Sequence, residues 1–270
     1  MLVREELTRY SRNILLSEVG RQGQENLKQA KVAVVGTGGL GSPVLLYLAA
    51  VGVGNLTIID SDTVDLTNLQ RQVLFRNASV GKAKAEEARK TLLQLNPHLN
   101  LTVQNTRLQA ENAIELLNGM DLVIEGADNF STKFLVNDAC YFLQIPFLTA
   151  GILQFSGTLL GVVPHNTACY RCVFHSPPPP GEIPSCAEAG VIGSVAGVLG
   201  SLQATEAIRY LLAGKNPQAG EEGAFGSLLQ YEAKKLEFRK IALQRNTKCP
   251  LCGSHPQITD LTSSTEFCNF

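Results

Sequence analysis

The sequence predicts an α/β fold: a Rossmann-like, mostly parallel sheet with helices on both faces, extended by antiparallel strands in the C-terminal half. Three observations carry this. Short apolar runs rich in β-branched residues alternate with helical stretches up to about Ala150. The first of these runs ends in a glycine-rich turn that opens a helix. Beyond Gly151 the pattern changes to alternating strand-like runs around one long apolar helix.

Taken in order, residues 1–30 predict short amphipathic helices, with Leu7, Tyr10, Ile14 and Leu15 at helical spacing. Lys31–Gly36 is a buried strand, followed by a helix from about Leu40 to Val51 and a second strand over Asn55–Asp60. Lys82–Leu95 is helical and Pro97 stops it. Leu99–Gln104 is a strand, Ala110–Asn118 a helix, Asp121–Glu125 a strand, Phe130–Leu143 a helix and Pro146–Ala150 a strand. Phe155–Val163 alternates as a strand. His175–Ser185 contains Pro177–Pro180 and predicts an extended loop. Gly190–Leu212 is a long helix, and Gly226–Tyr231 and Lys235–Ile241 are antiparallel additions.

No repeat or linker divides the chain, so one domain over 1–270 is expected. Within it, 1–30 forms N-terminal helices, 31–150 a nucleotide-binding half and 151–253 a second half; 254–270 is a tail. The chain has 270 residues, 44% hydrophobic and 17% charged, enough for a sizeable core. A net charge of −1 with no basic block argues against nucleic acid as a partner. Met1–Tyr10 lacks the apolar core of a secretory signal, and the apolar stretches at Leu45–Val51 and Val191–Leu202 are too short or too glycine-interrupted to span a membrane. A cytoplasmic setting is expected.

GTGGLG at Gly36–Gly41 fits GxGxxG, with Gly36, Gly38 and Gly41 as its glycines. It lies between a strand and a helix. There, glycine lets backbone N–H groups approach a phosphate, and the helix N-terminus adds positive potential. Asp60 ends the next strand, where an acid binds a ribose hydroxyl. The motif by itself suggests NAD. TNLQRQ (Thr67, Asn68, Leu69, Gln70, Arg71, Gln72), Lys84, and Asp128 with Asn129 shift the reading. All follow strands whose C-terminal ends meet at one edge, so Asp60, Arg71, Lys84 and Asp128 converge there. Two cations and a second acid suit a triphosphate with Mg2+ better than a dinucleotide. Taken alone, Lys84 reads as a solvated surface charge.

Of seven cysteines, Cys169, Cys172, Cys249 and Cys252 form two CxxC pairs. Four thiolates satisfy tetrahedral Zn2+ and leave no open position, which makes a structural site. The competing reading is redox chemistry, but neither pair sits at a thioredoxin-like strand-to-helix turn. Cys140 lies mid-helix as a small core residue, and Cys268 lies in the tail. Cys186 ends the proline-rich loop ahead of a long helix. It is either an activated nucleophile or an incidental loop residue.

With these motifs assembled, the chain resembles the MoeB/ThiF family of E1-like enzymes from about Arg9 to Gly253. RYSR (Arg9–Arg12), GTGGLG, DSD (Asp60–Asp62), NLQRQ, GKAK (Gly81–Lys84), ADN (Ala127–Asn129), CYRC, SCAEAGV (Ser185–Val191), GSLQATEAI (Gly200–Ile208) and CPLC carry the resemblance. PPPPGEIPSCAEAG is most similar to the MoeB branch that serves sulfur-carrier proteins. The resemblance implies ATP-dependent adenylation of the C-terminal glycine carboxylate of a small ubiquitin-like carrier of MoaD/ThiS type ending in Gly-Gly. Acyl-adenylate and pyrophosphate form ahead of a thiocarboxylate, as in molybdopterin or thiamin biosynthesis. It implies that Gly39, Asp60, Asp62, Asn68, Arg71, Lys84, Asp128 and Asn129 hold ATP, with Asp128 near Mg2+. Arg12 would reach the partner subunit's ATP in a homodimer, and the two CxxC pairs would hold zinc. Cys186 matches a loop cysteine that in some members links covalently to the carrier. Ser254–Phe270 is similar to a connector that leads to a rhodanese domain in longer relatives. Since the chain stops there, a separate sulfur donor, a rhodanese or cysteine desulfurase, is expected. An NAD-dependent oxidoreductase, an E1-like tRNA-modifying dehydratase and a non-catalytic scaffold are the alternatives.

Overall fold

The structure is a computed structural model that describes residues 1–179, 189–214 and 223–268. Parallel strands β1 (Lys31–Val35), β2 (Asn55–Ile59), β3 (Asn100–Gln104), β4 (Leu122–Glu125) and β5 (Phe147–Leu153) form one half of a sheet. Strands β6 (Ser156–Val162), β7 (Ser227–Glu232) and β8 (Glu237–Ala242) extend it antiparallel. The order is β3-β2-β1-β4-β5-β6-β7-β8. The helices are α1 (Arg4–Arg9), α2 (Ser11–Ile14), α3 (Gly20–Gln29), α4 (Gly41–Val51), α5 (Lys84–Leu95) and α6 (Ala110–Leu117). They continue as α7 (Phe130–Leu143), α8 (Tyr170–Val173), α9 (Gly193–Leu212) and α10 (Leu261–Cys268).

Strand side chains alternate between faces, and both faces are covered. Val32 and Val34 join Leu45, Leu48, Leu92 and Leu199 under α4, α5 and α9. Ala33 and Val35 join Leu117, Phe134 and Val136 under α6 and α7, in a cluster that includes the paired cysteines. This explains why β1 reads as a continuous apolar run. Among the described residues, no helix is long and apolar enough to cross a membrane.

The expected elements are present with shifted ends. The long helix begins at Gly193 instead of Gly190, because Gly190 takes φ +75° and Val191 pairs with Gln154 as a short bridge. The strand expected from Lys235 begins at Glu237, since Leu236 turns the hairpin at φ +55°. The fifth strand runs three residues beyond Ala150, to Leu153, because β6 pairs with its whole length. Helices α8 and α10 were not expected: α8 is one turn between two cysteines, and α10 lies in the stretch read only as a tail. Cys186 lies outside the described residues.

Candidate nucleotide site and cysteine cluster

The C-terminal ends of the parallel strands share one edge, and a cleft of about 1320 Å³ opens along it. Its lining follows the strand order. Thr106, Arg107 and Leu108 follow β3, Asp60 and Asp62 follow β2, Gly36, Gly38 and Gly39 follow β1, and Asp128 and Asn129 follow β4. The cleft then continues past β5 onto the antiparallel strands, to Gln230 and Arg239.

The glycine loop allows close backbone approach. Gly36 has φ +88°, and a Cβ there would stand 3.2 Å from the backbone of Gly126 and Ala127. A Cβ on Gly41 would collide with the Gly36 carbonyl oxygen. Helix α4 therefore starts directly against the turn, its N-terminus at the cleft. Asp60 is fixed before any ligand arrives. The backbone N–H and the hydroxyl of Thr37 both donate to its Oδ2, each at 2.7 Å, and Asp62 N–H donates to Oδ1 at 2.9 Å.

Two cations line the same cleft. A backbone strap pairs Thr63 with Ala83 and brings the start of α5 beside the end of β2. Lys84 Nζ then donates to Asp62 Oδ2 at 2.9 Å, with the lysine side chain only 8% exposed. Arg71 leaves a short 3₁₀ turn, Leu66–Asn68, and its Nη1 donates to Thr67 O at 3.2 Å. Gln72 is buried on the cleft wall, and its Oε1 has no partner among the described residues. An unpaired amide oxygen on the cleft wall calls for a donor, such as a ligand hydroxyl or amino group, and not for a phosphate oxygen.

Residues that the sequence reading missed lie under the β4 and β5 ends. Lys133 and Glu125 form a buried ion pair at 2.7 Å, joined by Thr149, and both Lys133 and Thr149 line the cleft. The available signal was a lysine set between Thr132 and Phe134 in a largely apolar helix. Residues 106–108 were missed because nothing in TRL marks a site; only the strand order brings them to the edge.

The four paired cysteines converge across 80 residues of sequence. Their sulfurs all lie within 4.8 Å of one another, with Cys169–Cys172 at 3.8 Å, Cys169–Cys249 at 3.6 Å and Cys172–Cys252 at 3.3 Å. Tetrahedral Zn–S bonds of about 2.3 Å place sulfurs about 3.8 Å apart, so the donor set could hold that ion. None of the four is joined in a disulfide. Arg171, between the first two, is wholly buried and forks onto Asp138 through Nε at 2.9 Å and Nη2 at 2.7 Å.

Residues 10–251 match the ThiF family. The chain belongs to the ThiF family. A sulfur carrier protein adenylyltransferase of Thermus thermophilus is 46% identical over 98% of the chain and 97% of its own length. The adenylyltransferase and sulfurtransferase MOCS3 of Culex quinquefasciatus is 41% identical over 98% of the chain, which spans 59% of that protein. The crystal structure of E. coli MccB with ATP superposes with a TM-score of 0.75 at 26% identity, covering 91% of this chain and 73% of that one.

Within this ThiF chain, Gly36, Gly38, Gly39, Asp60, Asp62, Arg71, Gln72, Lys84, Asp128 and Asn129 line one cleft. Thr67, Asn68, Leu69, Gln70 and Gly41 do not line it. Asn68 Oδ1 accepts from Asp65 N–H at 3.2 Å and shapes the turn that presents Arg71. Asn129 also caps α7, its Oδ1 accepting from Thr132 N–H at 2.9 Å. Arg12 is exposed on α2 and lines no part of the cleft.

Proposed function

We propose that this protein adenylates the C-terminal glycine carboxylate of a small ubiquitin-like sulfur carrier of MoaD/ThiS type. The observation that carries this reading is the continuity of the cleft. One end offers glycines, acids and two cations; the other runs over β5–β8, where the end of a carrier chain would lie. Adenylation needs both in one space. ATP lies along the edge with its base toward 106–108, its ribose at Asp60 and its phosphates at the glycine loop. Arg71 and Lys84 balance the phosphate charge, and Asp128 would hold a Mg2+ ion that adds positive charge there.

The attacking group is a carboxylate, ionised at neutral pH, so no general base is required. Its oxygen bonds to the α-phosphorus, the bond from that phosphorus to the bridging oxygen breaks, and pyrophosphate leaves with the electron pair. Positioning supplies much of the rate. A sulfur donor acts afterwards on the acyl-adenylate. Cys186 belongs to that later stage as a candidate for a covalent link.

The exposure of Arg12 supports a homodimer in which each subunit completes the other's phosphate site. Zinc in the four-cysteine cluster is structural, since no ligand position stays open. Free thiols in such a cluster suit the reducing cytoplasm. An NAD-dependent oxidoreductase fits less well, since two cations and a second acid suit a triphosphate with Mg2+ better than a dinucleotide. ATP–pyrophosphate exchange dependent on a Gly-Gly-ended carrier tests the proposal, and tight NAD binding without exchange would overturn it.

A further inference from the structure

Beneath the β4 and β5 ends, buried polar groups form one connected unit that the adenylation chemistry above does not use. Glu125 ends β4 and is wholly buried. Its Oε1 accepts from the Ala127 N–H at 2.7 Å. Its Oε2 accepts from Lys133 Nζ at 2.7 Å and from the Thr149 hydroxyl at 2.6 Å. Lys133 Nζ also donates to the carbonyl oxygen of Ala150 at 2.6 Å. Gln203 Nε2, from α9 on the opposite face, donates to the Glu125 carbonyl oxygen at 2.9 Å.

A buried ion pair is a poor way to stabilise a fold, because desolvating both charges offsets most of their attraction and an apolar pair often does as well. What this pair provides is direction. Ala127 immediately precedes Asp128, so the Glu125 carboxylate sets the path of the loop that carries Asp128. Through Ala150, Lys133 ties the end of β4 to β5, where the cleft turns from the phosphate end toward the antiparallel strands. Lys133, Thr149 and Ala150 all border that junction.

We infer that Glu125 and Lys133 are positioning residues for the reacting end of the cleft. They hold the Asp128 loop and the β5 edge at the spacing that lets an α-phosphate and an incoming carboxylate meet. This rests on the adenylation reading above.

The test compares Lys133→Met, the double variant Glu125→Gln/Lys133→Met and Lys133→Arg with the wild type. Carrier-dependent ATP–pyrophosphate exchange, thermal melting and calorimetric MgATP binding are measured on the full chain. Lys133→Met leaves Glu125 charged and unpaired, so it lowers the melting temperature; the double variant removes that charge and recovers it. If the pair positions the reactants, the double variant still loses about 100-fold in kcat while KM for ATP changes by less than about threefold. Lys133→Arg, which keeps the charge and its donors, recovers most of the rate. A double variant with wild-type kcat, or a loss confined to KM, would overturn the inference. A wild type that binds MgATP yet exchanges with no carrier would instead overturn the adenylation reading. The inference is then decided by the Mg2+ midpoint of ATP binding, and a midpoint unchanged in the double variant overturns it.

Discussion

At Asp60, Thr37 commits both its amide and its hydroxyl to one carboxylate oxygen. Under the proposed ATP reading, that arrangement holds the acid ready for a ribose hydroxyl without drawing on the ligand for the ordering. Thr37→Val keeps the amide bond and loses the hydroxyl. KM for ATP should then rise about tenfold with kcat nearly unchanged, the pattern of a lost contact made equally in ground and transition states. Steady-state kinetics over an ATP series checks this. In the proposed adenylation Arg71 is a different case, since the charge it would answer grows as pyrophosphate departs. Arg71→Ala should lower kcat/KM by about 10²–10³-fold; an unaffected rate would remove it from the chemistry. At this scale the sequence disclosed residues in dense motifs, such as the glycine loop and the NLQRQ run. It did not disclose Thr37, Glu125 or Lys133, whose roles come from partners far along the chain: Thr37 meets Asp60 across 23 residues, and Thr149 meets Glu125 across 24.

At the scale of elements, the C-terminal segment is held to the sheet by charge as well as by the cysteines. Arg171 on α8 forks onto Asp138 of α7, and the Ser264 hydroxyl of α10 donates to the same carboxylate. Arg171→Met strands Asp138 in a buried position and should cost about 3–5 kcal/mol, read by urea denaturation. The N-terminal helices are tied on differently. Glu6 of α1 is buried, and its Oε2 accepts from Lys28 Nζ of α3 at 2.6 Å. Burial pushes its carboxyl up, but the hydrogen bonds from Lys28 and Val3 outweigh burial and hold it below the usual range. A depressed folded value means stability that is present above the unfolded pKa and lost as pH falls through the folded one. Glu6→Gln should therefore trail the wild type in melting temperature at pH 7, with the gap starting to close as pH falls past about 4 and gone only below the lowered folded value. β1 and β4 were legible as near-continuous apolar runs because both faces of the sheet are covered there, whereas β3 (NLTVQ), at the sheet edge, is only part-buried and alternates. Helices α8 and α10 were not, because a single turn and a polar tail carry no periodicity; tertiary contacts hold them in place.

At the scale of the whole molecule, the strand order does the assembling. Asp60, Arg71, Lys84 and Asp128 are spread over nearly 70 residues yet share one edge, as the alternation of strands and helices implied. The continuation of the cleft over β5–β8 was not legible, since it depends on how β6 folds back along β5. Arg12 stands apart from the cleft, and the dimer proposal gives that position its meaning. Arg12→Ala and Arg71→Ala should each be inactive alone. Co-expressed, they should recover about a quarter of wild-type activity, because half the dimers are mixed and each mixed dimer keeps one intact site. A mixture as inactive as its components would place both residues in the same subunit's site.

The central claim is that the two ends of the cleft serve one reaction. The most direct measurement is ATP–pyrophosphate exchange by the purified protein with a small carrier ending in Gly-Gly, beside the same carrier lacking its terminal glycine. Exchange is expected with the first and none with the second, and a carrier mass increased by one adenylyl group, AMP less one water. Exchange that ignores the carrier's last residue, or MgATP binding with no exchange for any such carrier, would contradict it.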